Sequence, residues 1–198
     1  MNMVQAKLTR WTEILSSLDS FGFLSTSQIQ RLHNLGGRRN TTRILTDMGE
    51  LLSSFREGET VYYLSAKGRR EIGSQKARRR TQLVQHTLMR NEVYIAQRPE
   101  IWKPEYSVKW EGKEIIADAI YRKGGVYTFV EIDLTQSMAA NERKVLAYKE
   151  LRNSGKWQAK YGTFPNVLFV TTTEQRKAKL IAASSDLSIE VITFNDLK

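Results

Sequence analysis

Three carboxylates in the second half of the chain could form a chemical site. Asp118 lies inside the β-prone segment IIADAIY, and Glu131 and Asp133 lie at the end of YTFVEIDL. A carboxylate within an apolar strand is costly unless an ionic partner or a metal ion compensates its burial. We therefore predict that the three side chains cluster, and that the cluster either pairs with cations or binds a divalent ion.

A second candidate site consists of residue types that bind nucleic acid. A predicted helix opens with six residues whose side chains bond phosphates and base edges: Arg38, Arg39, Asn40, Thr41, Thr42 and Arg43. The free N–H groups at the start of a helix also favour a phosphate. Such residues at the N-terminal end of a helix are typical of a recognition helix in the major groove of DNA.

The surrounding elements predict a small helical domain that ends in a hairpin. Apolar residues recur at helical spacing in residues 8–20, 27–35 and 38–52. Two β-prone runs, residues 53–56 and 60–64, flank a glycine turn and indicate the hairpin. The positions expected to be buried are Leu8, Trp11, Ile14, Leu15 and Leu18 in the first helix, Ile29 and Leu32 in the second, and Ile44, Leu45, Met48 and Leu51 in the third.

Residues 8–73 resemble the winged-helix family, and YYLSAKGRREIG is similar to the usual exit from a wing. The resemblance implies double-stranded DNA as the partner, although three helices and a hairpin can also form a protein-interaction module. Residues 74–81 are either a solvated linker or an extension that follows the phosphates. Further basic residues expected to contact DNA are Arg56, Lys67, Arg69, Arg70, Arg78, Arg79 and Arg80.

The charge favours a polyanionic partner. The 198 residues carry a formal charge of +10, and residues 1–85, with 14 basic and 7 acidic side chains, hold +7 of it. The chain contains no cysteine, which excludes disulfides, thiolate zinc sites and cysteine nucleophiles. No apolar run approaches the ~18 residues that cross a bilayer. We expect a cytoplasmic protein without membrane contact.

The remaining sequence predicts an α+β fold in which a second domain has the order αβββαβαβ. We expect a mixed sheet flanked by helices, with domain limits at 1–76 and 77–198. The predicted helices are residues 80–97, 138–153 and 174–183, and the predicted strands are residues 102–110, 114–121, 126–134, 166–172 and 188–194.

This order resembles the PD-(D/E)XK nuclease superfamily. The resemblance implies that Asp118 and Glu131 bind Mg²⁺, helped by the carbonyl of Ile132 and by Glu92 as a further ligand. The ion would activate water and stabilise the charge of the phosphate.

The sequence departs from the superfamily at one catalytic position. Asp133 stands where the superfamily places a lysine, and Lys144 of the next helix is the candidate replacement. Two functions remain: a site-specific DNA-binding protein with a degenerate nuclease-like domain, or a Mg²⁺-dependent endonuclease or nickase targeted by its winged helix.

The segment VEIDLTQSMAANERKVLAYKEL, with Lys144 and Tyr148 on its helix, resembles the replication-relaxation family. The resemblance implies a role in plasmid replication, DNA relaxation or the regulation of a plasmid, phage or integrated element. We assign Tyr148 to packing, since a relaxase-type tyrosine normally accompanies a histidine cluster and the chain has only His33 and His86. A homodimer is expected, because one winged helix covers little DNA.

Overall fold

The computed structural model describes residues 2–184 and 187–197. Contacts along the chain divide it into two compact units, Met1–Asn91 (unit 1) and Glu92–Lys198 (unit 2). Both units contain helices and strands, which confirms the predicted α+β class.

Unit 1 contains helices and a small antiparallel sheet. The hairpin predicted from the two β-prone runs is present, with Leu52 opposite Leu64 and Glu57 opposite Glu59. A two-residue strand that was not predicted completes the sheet, in the order β1-β3-β2. The elements are α1 (Met3–Phe21), β1 (Leu24–Ser25), α2 (Thr26–Leu32), α3 (Arg38–Asp47), a 3₁₀ helix (Gly49–Leu51), β2 (Leu52–Glu57), β3 (Glu59–Leu64) and α4 (Ala66–Glu71).

Capping groups determine where the short helices begin. The Ser25 hydroxyl accepts the N–H of Gln28, and the Gln28 side chain accepts the N–H of Ser25, which forms a capping box at the start of α2. Helix α3 begins after Gly37 and ends at Asp47, five residues earlier than predicted. It ends there because the chain tightens into the 3₁₀ turn before β2.

The first helix is longer than predicted, and its start is not packed. Leu8, expected in the core, is 51% exposed, and Trp11 is only half-buried beneath the Lys7 ammonium, 4.7 Å from the ring centre. Apolar spacing extends along the whole helix, but packing begins only at Ile14.

Helix α5 (Val84–Gln97) begins in unit 1 and runs on into unit 2. Its first half belongs to unit 1 because Val84 and Leu88 pack in one cluster with Phe23, and Asn91 donates to the carbonyl of Phe23 at 2.8 Å. The division between the units therefore falls within this helix. The limits 1–76 and 77–198 stay a prediction.

Unit 2 is built on a five-stranded mixed sheet in the order β4-β5-β6-β7-β8. The first three strands are antiparallel, whereas β6, β7 and β8 are parallel. The predicted order of elements is present, and the short helix α7 is an addition. The elements after α5 are β4 (Ile101–Trp110), β5 (Lys113–Lys123), β6 (Val126–Asp133), α6 (Met138–Asn153), α7 (Lys156–Tyr161), β7 (Asn166–Thr171), α8 (Glu174–Ala183), β8 (Ile189–Thr193) and a 3₁₀ helix (Phe194–Leu197).

The core of unit 2 brings the sheet together with α6, α7 and α8. Phe129 of β6 lies 5.1 Å from the Tyr148 ring and 5.2 Å from the Trp157 ring, measured between centroids. Phe169 of β7 and Leu180 of α8 belong to the same cluster. This packing fixes α6 against the end of β6, where the predicted carboxylates lie.

We predict that Gly68→Ala destabilises the protein by roughly 3 kcal/mol, because a methyl group there would overlap the main-chain oxygen of Leu51. The control is Lys67→Ala on the same helix, which removes only a surface ion pair with Glu50 and should cost under about 1 kcal/mol. Urea unfolding of both variants checks this. Equal free energies of unfolding would contradict the close approach of α4 to Leu51.

Candidate functional site: a carboxylate cluster and a basic surface

Strand β6 presents two buried carboxylates on one face. Glu131 and Asp133 are two residues apart, so both side chains point to the same side of the sheet, and each is 1% exposed. Asp118 joins them from β5 at the point where the two strands separate, since the pairing of β5 with β6 ends at Ala119 and Val130. The three predicted residues therefore lie at one end of the sheet.

Asp118 replaces a main-chain hydrogen bond between β5 and β6. Its Oδ2 accepts the main-chain N–H of Ile132 at 2.7 Å, in the part of β6 that no longer pairs with β5. The side chain thereby satisfies a buried backbone donor that would otherwise lack a partner. Asp118 has a structural role in addition to any ligand it could bind.

Glu131 is enclosed by two side chains of α6. Its Oε2 accepts a short hydrogen bond from the Lys144 ammonium, and its Oε1 accepts the Tyr148 hydroxyl at 2.6 Å. Burial and the nearby Asp118 act to raise the pKa of Glu131, whereas the Lys144 charge and the hydrogen bonds from Lys144 and Tyr148 act to lower it and favour the ionised form. The predicted meeting of Lys144 with the cluster occurs here, as an ion pair.

Lys144 and Tyr148 depend on the same carboxylate. Burial acts against the charged form of Lys144, but the carboxylates of Glu131 and Asp118 outweigh it, and the pKa of Lys144 is raised. Burial and the adjacent Glu131 raise the pKa of Tyr148 well above its ordinary value. Tyr148 is fully buried against Phe129, so it packs as predicted and also donates a hydrogen bond, which the sequence did not indicate.

Asp133 is held by four donors. Arg176 of α8 forms a two-pronged bond to it, Nε to Oδ2 at 2.7 Å and Nη2 to Oδ1 at 2.5 Å. Asn141 donates to Oδ1 and the Thr171 hydroxyl to Oδ2, each at 2.8 Å. Burial alone would raise the pKa of Asp133, but the hydrogen bonds from Arg176, Asn141 and Thr171 hold it below its ordinary value. Asp133 is therefore an ionised, internally paired carboxylate.

The arrangement does not fit the Mg²⁺ ion implied by the nuclease resemblance. The carboxylates of Glu131 and Asp133 already have protein partners on both oxygens, and the Ile132 carbonyl receives the Gln136 amide at 3.4 Å. Glu92 is buried on α5. Within the described part of the chain, no three side chains of the His, Cys, Asp or Glu type form a group that could hold a metal ion.

The basic surface lies on α3. Four of the predicted side chains are exposed on one side of this helix and line an open hollow together with Thr46 and Asp47: Arg38, Arg39, Thr42 and Arg43. Thr41, predicted as a DNA contact, is fully buried, and its hydroxyl donates to the Gly37 carbonyl at 3.2 Å. That prediction is wrong, because the helical period turns position 41 inward with Ile44 and Leu45.

Bonds within unit 1 hold part of this surface. Asn40 donates to the Leu35 carbonyl at 2.8 Å and accepts from Arg43 at 3.0 Å, so its amide organises the start of α3. Arg38 lies 3.7 Å from Glu59 of the hairpin. Arg39 has no ion pair or hydrogen bond among residues 2–184 and 187–197.

The other predicted basic contacts differ in their surroundings. Lys67 pairs with Glu50 at 2.8 Å, and Arg80 pairs with Glu57 at 2.7 Å. Arg69 is half-buried. Six members of the set are exposed, the paired Lys67 and Arg80 among them: Arg56, Lys67, Arg70, Arg78, Arg79 and Arg80.

A protein-family model matches the part of the chain that contains most of both candidate sites. The replication-relaxation family model matches residues 15–167, which include α3, the hairpin, Asp118 and the helix of Lys144 and Tyr148. The chain belongs to the replication-relaxation family. Membership indicates a role in replication or DNA relaxation.

Other comparisons add little to the family assignment. No curated protein matches this replication-relaxation protein. Among solved structures it is similar to protein VC1899 from Vibrio cholerae, with a TM-score of 0.42 and 13% sequence identity over 97% of this chain and 50% of that one. This chain thus spans about half the length of VC1899. Across the described residues, every helix is too short or too polar to cross a bilayer.

Three residues of the replication-relaxation protein's cluster escaped sequence reasoning: Asn141, Thr171 and Arg176. A signal for two of them existed, since β7 pairs in parallel with β6 and Thr171 lies opposite Asp133. A buried aspartate at the end of a strand needs a cation, and Arg176 is in the first turn of the helix that follows the neighbouring strand.

We predict that Arg176→Ala destabilises the protein by about 3–5 kcal/mol, because it leaves the buried Asp133 without its counter-ion. Arg176→Lys should recover only part of the loss, since an ammonium cannot form the two-pronged bond. Urea unfolding checks both variants against Lys179→Ala, an exposed position of the same helix that should change stability by under about 0.5 kcal/mol. An Arg176→Ala protein as stable as the Lys179→Ala control would show that the pair contributes nothing.

Proposed function

We propose that this protein binds double-stranded DNA at specific sites on a plasmid or phage and acts in the cytoplasm in replication, DNA relaxation or transcription control. Unit 1 would be a winged helix-turn-helix, with α3 as the recognition helix and the β2–β3 hairpin as the wing. The observation that carries the proposal is the exposed basic face at the N-terminal end of α3.

The orientation of α3 supports base reading. Thr41, Ile44 and Leu45 hold one face of the helix in the core, so the opposite face must present Arg39 and Arg43 to solvent. Arginine makes two-pronged bonds to guanine in the major groove, and the helix start adds N–H groups suited to a phosphate.

The hairpin is attached to the helical part of unit 1, as a wing would have to be. The Glu59 carboxylate accepts two hydrogen bonds from Ser27, one from its hydroxyl at 2.7 Å and one from the main-chain N–H of Ser27 at 3.0 Å. Thr26 donates to the Thr60 carbonyl at 3.1 Å. These bonds join the turn end of the hairpin to the start of α2, so that Arg56 on β2 is presented at a fixed place relative to α3.

Unit 2 is proposed to be a degenerate nuclease-like domain that serves dimerisation or contact with a partner. Its carboxylates are neutralised by Lys144 and Arg176, which suits a scaffold better than a metal site. The protein would act as a homodimer, since paired half-sites extend the contact with DNA beyond that of one recognition helix.

We expect Arg39→Ala and Arg43→Ala each to weaken binding to the preferred duplex by about 5- to 150-fold, the loss of a contact worth roughly 1–3 kcal/mol. The duplex is first selected from random DNA, and a palindromic product would support the dimer. Fluorescence anisotropy then compares selected and scrambled duplexes. Arg143→Ala, an exposed position on α6, is the control with the same charge change. Normal binding by both α3 variants would disprove the recognition-helix assignment.

We expect no metal-dependent cutting when supercoiled or linear target DNA is incubated with the protein and Mg²⁺ or Mn²⁺. The double variant Asp118→Ala, Glu131→Ala should bind DNA as the wild type does, provided that its thermal unfolding shows a folded protein. Cutting by the wild type that needs the metal and disappears in the folded double variant would establish the endonuclease instead.

A further inference from the structure

The basic junction, residues 74–80, is held against the rest of unit 1 although it forms neither helix nor strand. At its beginning, Ser74 makes a short hydrogen bond to Asp19, and the Lys76 ammonium lies 3.1 Å from the same carboxylate. At its end, Arg80 donates to Glu57 of the hairpin at 2.7 Å. Two acidic side chains therefore hold the two ends of a segment for which the sequence alone left open both a solvated linker and an extension that follows the phosphates.

The end held by Glu57 has the larger set of contacts. The Arg80 guanidinium lies over the Phe55 ring, 5.0 Å from its centre, and this ring packs edge-on against Phe23 with 6.1 Å between centroids. Hydrogen bonds from Gln85 and Arg80 lower the pKa of Glu57, so its carboxylate is ionised at neutral pH. Glu57 thus links the hairpin to the junction and to the start of α5.

The three consecutive arginines of the junction are not equivalent. Arg78 lies beside the end of α1, where its Nε is 3.5 Å from the position that a side-chain carbon of Gly22 would occupy. The C-terminal end of a helix carries partial negative charge, which favours a cation there. Arg79 is exposed and, within the described residues, has no hydrogen bond or ion pair. All three side chains are exposed, but Arg78 lies beside Gly22 and Arg80 pairs with Glu57, which leaves Arg79 as the candidate for an outside ligand.

We propose that Glu57 is a positioning residue for DNA binding: by holding Arg80 it fixes the junction as a backbone-contacting element whose phosphate ligand is Arg79. The proposal rests on the proposed function. It also predicts the opposite of what charge alone would give. A carboxylate near a DNA-binding surface repels the phosphates, so charge alone predicts that removing Glu57 strengthens DNA binding. If Glu57 positions the junction, its removal weakens binding instead.

The test compares Glu57→Ala with Glu57→Gln. Both variants lose the same charge, but only glutamine keeps an oxygen that can accept a hydrogen bond from Arg80. We expect Glu57→Ala to bind duplex DNA about 3- to 10-fold more weakly than Glu57→Gln. The slope of log K against log salt concentration should be shallower by about one unit, as for one lost phosphate contact. Arg79→Ala should show the same shallower slope. Thermal unfolding of each variant confirms that it is folded.

A second measurement needs no DNA. The junction offers three consecutive arginines to trypsin, and a held segment is cut slowly because cleavage requires local opening. We expect trypsin to cut after residues 78–80 about fivefold faster in Glu57→Ala than in the wild type, and Glu57→Gln to be closer to the wild type.

The two measurements separate failure of this inference from failure of the proposed function. A wild-type protein that binds no duplex would disprove DNA binding, and the trypsin rates would still decide whether Glu57 holds the junction. If the wild type binds DNA, two results would overturn the positioning role. One is a Glu57→Ala variant that binds DNA as tightly as Glu57→Gln. The other is a Glu57→Ala variant that trypsin cuts no faster than the wild type.

Discussion

The structure of unit 2 depends on the neutralisation of carboxylates buried at the end of β6. Glu131 and Asp133 leave water when the sheet packs against its helices, and an unpaired charge there would cost several kcal/mol. Lys144 and Arg176 provide the positive charges from two different helices. The sheet and both helices must therefore assemble together, since each carboxylate needs a partner from outside its own strand.

Unit 1 differs from unit 2 because its acidic side chains are exposed or only half-buried. Its acidic residues pair with nearby cations around the hairpin and the junction, as Glu57 does with Arg80 and Asp19 with Lys76. Exposed pairs of this kind add little stability but restrict where long side chains lie. Arg39 and Arg79 make no ion pair or hydrogen bond within the described residues, while their neighbours organise the surface.

Much of the fold could be predicted, because long elements follow simple periodicities. The bounds of residues 138–153 and 174–183 agree with α6 and α8, and the hairpin agrees in its pairing. Short elements such as α7 escaped because six residues give too little pattern. Leu8 was misplaced because apolar spacing continues beyond the packed part of α1.

The residue types of the candidate sites could be predicted from the sequence, but the partners of those residues could not. The meeting of Asp118 and Glu131 followed from their strands, whereas the pairing of Asp133 with Arg176, 43 residues later, required the order of the sheet. Thr41 was misread because a polar residue within a basic run suggests exposure, while its hydroxyl in fact bonds the preceding turn.

The inward-facing Thr41 has an evolutionary consequence. Each residue of an α-helix turns the chain by about 100°. One residue inserted just before position 41 would therefore rotate the arginines at the helix start relative to the anchored side, carrying some of them toward apolar surroundings. Relatives should accordingly vary by exchanging exposed side chains along α3 at constant length, while insertions and deletions collect in the turns on either side.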